Sequence, residues 1–193
     1  YNANSTLVPF EIIDGEKVQV KIWDDEVTAF SAHEAISDFF SQQLKIKSSL
    51  VFMPNESNRW IDKNFVKEDV PVSFADGYPV LLIGQESLNF LNSKLDETIE
   101  MDRFRPNIVF EGGLAHEEDL INFSIADVHF KGVKPCGRCQ VPGINQQTGI
   151  ISKEPTRTLS SYRNFNNKIN FGQNIIVLKE GKICVNDKII LKN

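Results

Sequence analysis

The segment Pro79-Val-Leu-Leu-Ile83 is an uninterrupted apolar run, which predicts a buried β-strand. It leads directly into residues 86–95, where Leu88, Leu91 and Leu95 recur at helical spacing and predict one inward-facing side. A strand that runs straight into a helix is a frequent place for a ligand site, because the end of the strand and the start of the helix meet there. The sequence therefore predicts a candidate ligand site where this strand meets the helix.

Beyond Asp102 the pattern is mostly that of short strands separated by turn residues. The predicted strands are Asn107 to Phe110, Phe123 to Ile125, Asp127 to Lys134, Ile175 to Leu178, Lys182 to Val185 and Lys188 to Leu191, the last two forming a terminal hairpin. Many short strands, 14 Phe and few long helices predict a mainly β fold, β plus α, in which a barrel carries packed helices.

The residues before the apolar run predict a smaller β region with one helix. Asp14-Gly15 has the turn chemistry of a hairpin that would run from Phe10 to Trp23. Ser31-Ala-His-Glu34 matches a capping box, which predicts a helix beginning after Ser31 with Phe39 and Phe40 on its apolar face.

Composition and charge limit the classes of protein. The chain has 193 residues, 41% hydrophobic and 24% charged, which is typical of a globular protein, and no apolar run is long enough to span a membrane as a helix. A net charge of −5 argues against a general nucleic-acid binder. Residues 1–100 carry 8 basic and 17 acidic side chains, whereas residues 101–193 carry 13 and 9. We therefore expect an anionic small molecule to bind in the second half.

The start of the chain and its cysteines indicate the setting. The chain begins Tyr1-Asn-Ala-Asn4, without an initiator Met or the pattern of a signal peptide, so we expect it to be a piece of a longer protein. Cys136, Cys139 and Cys184 are too few and too unevenly spaced for a disulfide framework. We therefore expect a reducing, cytoplasmic location.

The segment Lys134-Pro-Cys136-Gly-Arg138-Cys139 carries the most chemistry, and three interpretations of it remain open. Cys-x-x-Cys is half of a tetrahedral zinc site, but no second paired motif follows. The two cysteines could form a redox pair whose thiolate the neighbouring cations favour, although Gln140-Val-Pro142 does not begin a helix. One thiolate could instead bind a soft redox-active metal while the cations hold an anionic cofactor.

Several motifs occur in a fixed order along the second half. They are Arg103-Phe-Arg105-Pro-Asn107-Ile-Val, Ile125-Ala-Asp127-Val-His-Phe, Val133-Lys-Pro-Cys136-Gly-Arg-Cys139, Gln147-Thr-Gly149 and Glu154-Pro-Thr-Arg157-Thr-Leu-Ser-Ser-Tyr162-Arg163. This series, within residues 74–191, resembles the MOSC family, the domain at the C-terminus of molybdenum-cofactor sulfurase. Within the family it looks most like the bacterial hydroxylaminopurine-resistance proteins and the mitochondrial amidoxime-reducing component.

The resemblance implies a fold and two domains. It predicts a MOSC-type β-barrel with packed helices over residues 76–193. Residues 1–75 are then predicted to be a partial N-terminal barrel domain. The Lys-Ser motif and the Asp-Arg-Arg-Trp-like strand with which that N-terminal barrel begins in the family are absent from this sequence.

The resemblance also implies a molybdenum centre held by molybdopterin and one protein thiolate. The matching metal ligand is Cys139, and Asp76 matches an acidic position near the metal, although Asp76-Gly77 is also a strong turn signal. The positions predicted to bind the cofactor are Arg105, Asn107, Lys134, Gly137 and Arg138.

The family comparison implies a reductase of N-hydroxylated compounds such as hydroxylamino-purines and amidoximes. The sequence has no Cys quartet for an iron–sulfur cluster, so a separate flavin or iron–sulfur reductase would supply electrons. Two alternatives stay open. One is a sulfur-carrier domain that bears a persulfide on Cys139, related to the pyridoxal-phosphate-linked sulfurases. The other is a barrel that holds no cofactor.

Other candidate residues have structural interpretations from sequence alone. Cys184 lies between two apolar residues and is predicted to be buried. Arg157 and Arg163 are predicted to be structural rather than cofactor-binding. His116 lies in a polar stretch that predicts a solvated loop or short helix, and His129 is predicted to lie on a sheet face.

Overall fold

The computed structural model describes residues 5–12, 14–57, 59–112 and 116–192. The chain forms two compact units. The first unit comprises Tyr1–Ile61 and Asp69–Gly77, and the second comprises Asp62–Glu68 and Tyr78–Asn193. The short segment Asp62–Glu68 therefore belongs to the second unit although the first unit flanks it on both sides.

The first unit contains a three-stranded antiparallel sheet. Its strands are β1 (Lys17–Ile22), β2 (Asp25–Ser31) and β3 (Val51–Phe52), in that spatial order, with helix α1 (Glu34–Leu44) between β2 and β3. Val27 and Ala29 alternate with polar residues on β2 and are buried, so one face of the central strand packs into the core of this unit.

Two sequence predictions for the first unit are wrong in their details. The hairpin turns at Trp23-Asp24, because Ile22 pairs with Asp25, and not at Asp14-Gly15. Trp23 adopts φ 55°, in the left-handed region that turn residues favour, whereas the sequence predicts the turn at Asp14-Gly15. The helix is present, but Ser31 ends β2, and His33 is the residue whose side chain accepts a hydrogen bond from the amide of Ala35.

The second unit contains a seven-stranded sheet that curls into a half-barrel. Its strands are β4 (Val80–Gly84), β5 (Ile108–Phe110), β6 (Asn122–Ile125), β7 (Val128–Gly137), β8 (Asn164–Phe165), β9 (Lys168–Lys179) and β10 (Ile189–Leu191). The order is β10-β6-β7-β9-β4-β5, with β8 paired to β9. Only β4 and β5 are parallel among the described pairs. The prediction of a mainly β fold with a barrel-like sheet is confirmed.

Short helices connect these strands. Helix α2 (Gln85–Asn92) follows β4 directly, and α3 (Thr156–Ser160) precedes β8. Single 3₁₀ turns lie at Met101–Phe104, Glu117–Asp119 and Val141–Gly143. Helix α2 ends at Asn92, before the predicted end at Leu95.

Strand β4 explains why the apolar run is continuous. Leu82 and Ile83 are both fully buried but belong to two different hydrophobic clusters, the first shared with Phe123 and Ile175 and the second with Phe171. A strand covered on both faces needs apolar residues at every position rather than at alternate ones. The sheet thus has a core on each side, and α2 and α3 contribute to the second cluster through Leu88, Leu91 and Leu159.

The predicted C-terminal hairpin does not form. Strand β10 pairs antiparallel with β6, which lies far away in the sequence, and Ile190 is opposite Ser124. Residues 182–185 are not a strand. Asp187 instead accepts a hydrogen bond from the amide of Cys184, with 2.6 Å between nitrogen and oxygen. Cys184 is exposed, so its predicted burial is wrong. The local turn at residues 184–187 does form, but the strand after it, β10, pairs with β6 rather than with residues 182–185.

Candidate functional site

The thiol of Cys139 lies in a cleft of about 750 Å³ in the second unit. We call it the Cys139 cleft. It is lined by Arg138, Cys139, Gln140, Ile151, Ser152, Lys153, Thr156, Arg157, Ser160 and Ile169. The described lining residues include three cations and no carboxylate, so the cleft carries a positive charge next to an exposed thiol.

The end of β7 places Cys139 in this position. The pairing of β7 with β9 becomes irregular between Pro135 and Gly137, and the last bond beyond the strand runs from the amide of Arg138 to the carbonyl of Ile169, at 2.7 Å. The following residues form the 3₁₀ turn that contains Pro142, which cannot continue the ladder. Cys139 therefore leaves the sheet in a loop and is open to the cleft.

Arg138 fixes this loop to the protein. Its Nη2 donates to the carbonyl of Phe104 at 3.0 Å, and its guanidinium lies 5.4 Å from the centre of the Phe104 ring. Its Nη1 lies 3.2 Å from the Sγ of Cys136. The Nε is buried and has no hydrogen-bond partner among the described residues, which leaves one donor for a group that the protein does not supply.

The 3₁₀ turn that begins at Met101 packs against the same loop. Arg103 donates from Nε to the carbonyl of Pro142 at 2.9 Å, and Gln146 donates from Nε2 to the carbonyl of Asp102 at 2.6 Å. Arg105, the next basic residue, is exposed and has φ 55°. The structure thus brings the segment that precedes Arg105 beside the segment that follows Cys139.

Helix α3 forms the opposite wall of the cleft and is anchored from behind by Arg163. The amide of Arg163 donates to Leu159 at 2.8 Å, while its Nη1 lies 2.9 Å from Oε1 of Glu118 and its Nη2 lies 3.5 Å from Oε2 of Glu117. Glu117 has no exposed surface, and its Oε1 accepts from the amide of Gly84 at 2.9 Å. The acidic pair and Arg163 therefore tie the α3 wall to the start of α2.

Sequence reasoning missed Glu117. The run Glu117-Glu118-Asp119 has the pattern of a solvated turn, and the local sequence contains no signal that one carboxylate is buried. The prediction that Arg163 is structural agrees with these contacts. Arg157, also predicted to be structural, instead lies on the cleft surface with its guanidinium exposed.

Of the other residues predicted to bind the cofactor, Asn107 bonds to the protein backbone and Gly137 is exposed. Asn107 accepts from the amide of Leu81 through Oδ1 at 2.8 Å and donates its own amide to the Leu81 carbonyl at 2.9 Å, so it joins β5 to β4. Gly137 is exposed, and a Cβ placed there would meet only ordinary contacts at 3.8 Å or more. Backbone packing therefore does not require glycine at this position.

The ammonium of Lys134 lies over two aromatic rings. Its Nζ lies 4.2 Å from the centre of the Phe65 ring and 4.9 Å from that of Tyr78. Burial and the nearby carboxylate of Asp62 raise the pKa of Tyr78 to about 12. The ammonium of Lys134 is thus held by a cation–π contact, and its role in cofactor binding stays a prediction.

Asp76 belongs to the first unit. Its Oδ1 accepts a hydrogen bond from the indole nitrogen of Trp23 at 2.6 Å, and its backbone carbonyl accepts from Nη2 of Arg59 at 2.8 Å. Arg59 is almost fully buried and also bonds Asp25. These contacts give Asp76 a structural role in the first unit, and its predicted catalytic role stays a prediction.

A second cleft in the second unit surrounds Cys184. This Cys184 cleft, of about 980 Å³, lies between β5 and the segment that leads into β10. It is lined by residues 107–112, Ile125, residues 183–189 and Leu191. Its charged lining residues are Glu111, Asp187 and Lys188, so it lacks the excess of cations found around Cys139.

Neither cleft contains a protein-only metal centre. In the described part of the chain, no group of three or more His, Cys, Asp or Glu residues is arranged to hold a metal ion. A metal at Cys139 would therefore need most of its ligands from a cofactor. Among the described residues, no helix is long and apolar enough to cross a membrane.

The fold and the cleft together define a curled β-sheet domain that presents one cysteine between cations. The MOSC domain family matches residues 69–190, which is more than half of the chain. The protein belongs to the MOSC family.

Curated relatives agree with this assignment. The mitochondrial amidoxime reducing component 2 of Bos taurus is 34% identical over 126 residues, which cover 64% of this chain and 34% of that protein. The mitochondrial amidoxime-reducing component 1 of Homo sapiens is 35% identical over 130 residues, covering 62% and 39%. The molybdenum cofactor sulfurase of Arabidopsis thaliana is 38% identical over 114 residues, covering 52% and 14%. The matched part of the chain spans less than half the length of each of these relatives.

Proposed function

We propose that this chain is the cofactor-binding part of a molybdenum enzyme that reduces N-hydroxylated compounds, such as hydroxylamino-purines and amidoximes, to amines. The observation that carries the proposal is the exposed thiol of Cys139 in a cationic cleft of a MOSC domain. Relatives named as amidoxime-reducing components support the reaction class.

The residues present fit a molybdenum cofactor. A metal held by the dithiolene of molybdopterin needs one further soft ligand, and a thiolate is such a ligand. Cys139 offers it, and the buried Nε of Arg138 offers an unused donor beside it. When bound, the cofactor would supply the two-electron redox chemistry of the reduction.

The protein's own residues would orient the reaction. Arg138 holds the thiol loop against Phe104, and Arg163 holds the opposite wall, so the cleft keeps its width while a ligand enters and leaves. Arg105 and Gly137 would contact the cofactor, as the resemblance implies. Gly137 suits this role because it is exposed and leaves its backbone open to a close ligand.

We propose that electrons arrive from a separate flavin or iron–sulfur protein in a reducing, cytoplasmic compartment. The three cysteines of the chain are unpaired, which is compatible with that compartment. Two of the relatives are named amidoxime-reducing components, and a reduction of that kind requires a source of electrons.

Metal analysis and turnover together test this proposal. The protein at its natural length, produced in a host that makes molybdopterin, should contain one molybdenum and one pterin per chain. With chemically reduced viologen as the electron donor, it should convert 6-hydroxylaminopurine to adenine. A loaded protein that reduces neither N-hydroxylated purines, as base or nucleotide, nor amidoximes would show that the reaction class is wrong.

A sulfur-carrier role is the second candidate, because Cys139 is exposed between cations that would stabilise a persulfide and because one relative is a molybdenum cofactor sulfurase. Mass spectrometry of freshly purified protein separates the two roles. A stable adduct of one sulfur atom on Cys139 supports the carrier, whereas bound pterin without the adduct supports the reductase.

A further inference from the structure

The two remaining cations of the Cys139 cleft point to the class of substrate. Resting on the proposed reductase function, we infer that Lys153 and Arg157 form a subsite for a phosphate group of the substrate. The substrate would then be an N-hydroxylated nucleotide rather than the free base.

Lys153 and Arg157 lie on one turn at the start of α3. The amide of Arg157 donates to the carbonyl of Lys153 at 2.9 Å, so the two side chains leave the backbone four residues apart. Both line the same cleft as Cys139, and both are exposed. Lys153 lies before the first residue of α3 and Arg157 lies within it, so what the two cations share is the cleft that both line.

Neither charged group is committed to the protein. Arg138, the third cation that lines the cleft, bonds the Phe104 carbonyl. By contrast, the Lys153 ammonium and the Arg157 guanidinium have no ion pair or side-chain hydrogen bond within the described residues. Because the described lining also includes no carboxylate, both cations remain available to a ligand.

The rest of the cleft fits the remainder of a nucleotide. A guanidinium binds phosphate through a planar fork and an ammonium adds a point charge, which together suit a phosphate monoester. Thr156 adds a hydroxyl beside Arg157, while Ile151 and Ile169 supply apolar surface for a flat base. The volume of about 750 Å³ lies within the range of small-molecule sites.

A phosphate at this position would set the orientation of the substrate. With the phosphate on α3, the base can extend towards the side of the cleft that carries Cys139. The phosphate of the molybdenum cofactor is the other possible source of the same chemistry. The experiment therefore needs one arm without the cofactor and one with it.

Binding is measured first on the chain without cofactor. Calorimetry at low salt compares N⁶-hydroxyadenosine 5′-monophosphate with N⁶-hydroxyadenosine. We expect the monophosphate to bind about tenfold more tightly and the difference to shrink as salt is added. The double variant Lys153→Glu, Arg157→Glu should abolish the difference.

The matched control is the double variant Lys179→Glu, Lys182→Glu. It also replaces two cations with two carboxylates, but at exposed positions that do not line the Cys139 cleft. It should keep the tenfold preference, and thermal melts should confirm that both variants are folded. Equal binding of the nucleoside and the monophosphate to the wild-type chain would overturn the subsite.

The loaded protein of natural length gives the second arm. Lys153→Glu, Arg157→Glu should retain molybdenum and pterin but raise KM for the monophosphate about tenfold, with kcat and the KM for the nucleoside unchanged. Loss of pterin in this variant would overturn the proposal, because the two cations would then bind the phosphate of the cofactor. If the monophosphate binds as expected but no substrate is reduced, the proposed function fails while the subsite stands.

Discussion

The Cys139 cleft and the Cys184 cleft belong to the same unit, and each contains one exposed cysteine. The Cys184 cleft is larger, at about 980 Å³ against about 750 Å³. However, the described lining of the Cys139 cleft has three cations and no carboxylate, whereas that of the Cys184 cleft includes Glu111 and Asp187. Charge around a thiol, rather than the size of a cleft, thus distinguishes the candidate site.

The two clefts also differ in how their walls are built. Arg138 and Arg163 bond both sides of the Cys139 cleft to the protein interior. The Cys184 cleft is bordered by a turn that Asp187 closes onto the Cys184 amide. A preorganised wall is what a binding site for a rigid cofactor requires. The following predictions test this difference.

The largest difference is expected from removing each thiol in turn. Under the proposed function, Cys139→Ala in the protein of natural length should lose molybdenum and should reduce N-hydroxylated compounds at least about a thousandfold more slowly, because the metal would lose its protein ligand. Cys184→Ala should keep both within about twofold, since Cys184 makes no contact with the cationic cleft. Metal analysis and a viologen-coupled assay measure the effect. A Cys139→Ala protein with full metal content would show that the ligand assignment is wrong.

The second prediction concerns the anchor of the α3 wall. Arg163→Met should destabilise the second unit by about 3 kcal/mol, because Glu117 has no exposed surface and would lose its cationic partner. Urea denaturation measures the free energy of unfolding. Glu118→Gln is the milder control, expected to cost less than about 1 kcal/mol, because Glu118 is 26% exposed and Arg163 keeps Glu117.

The same variant should change the two clefts unequally. In Arg163→Met the α3 wall loosens, so the rate at which iodoacetamide alkylates Cys139 should rise while the rate at Cys184 stays constant. Peptide mass spectrometry resolves the two sites. Equal changes at both cysteines would indicate general unfolding and would contradict the local role of Arg163.

The third prediction uses the charge of a reagent on the wild-type chain without cofactor. At each cysteine we compare the alkylation rate with anionic iodoacetate to the rate with neutral iodoacetamide. This rate ratio should be about two to five times higher at Cys139 than at Cys184. The cause is the local excess of cations at Cys139, so the ratio should fall towards that of Cys184 when salt is raised. If the two cysteines show the same reagent ratio at low salt, the electrostatic distinction between the clefts does not hold.

The smallest effect is expected at Tyr78, which lines neither cleft. Burial, with a further contribution from Asp62, raises its pKa to about 12 from a usual value of 10, so the folded state holds the phenol proton more tightly than the unfolded state. This contribution to stability is complete below pH 10 and is lost as the pH rises from 10 through 12. Tyr78→Phe should show a smaller loss of stability over that interval. The late rise in tyrosinate absorbance should lose the contribution of Tyr78 and keep that of Tyr162, whose pKa is also raised by burial. Alkylation rates at both cysteines should not change.

Much of the second unit could be predicted from the sequence. The apolar run of β4 and the helix after it are correct, because burial on both faces of a strand leaves a continuous apolar signal. The order of motifs predicted the family, and the thiol of Cys139 does lie beside cations. These features depend on local residue patterns that survive in the linear sequence.

Other predictions are wrong because the strands pair differently from what the turn and cap residues indicate. The first hairpin turns at Trp23-Asp24 rather than at Asp14-Gly15, since Ile22 pairs with Asp25. The predicted hairpin at Cys184 is absent because β10 pairs with the distant β6, and Ser31 completes β2 instead of capping α1. Turn and cap signals are short, and strand pairing overrides them.

The sequence by itself determined the family and the mainly β class, and it singled out Cys139 as the candidate metal ligand, because each of these depends on residue types that lie close together in the chain. Only the tertiary structure decided which charges are free. It buried Glu117 against Arg163, placed Lys134 against Phe65 and left Lys153 and Arg157 open beside Cys139. Whether a charged group is paired or available depends on residues far away in the chain that folding brings within a few ångströms, and no local pattern records that contact.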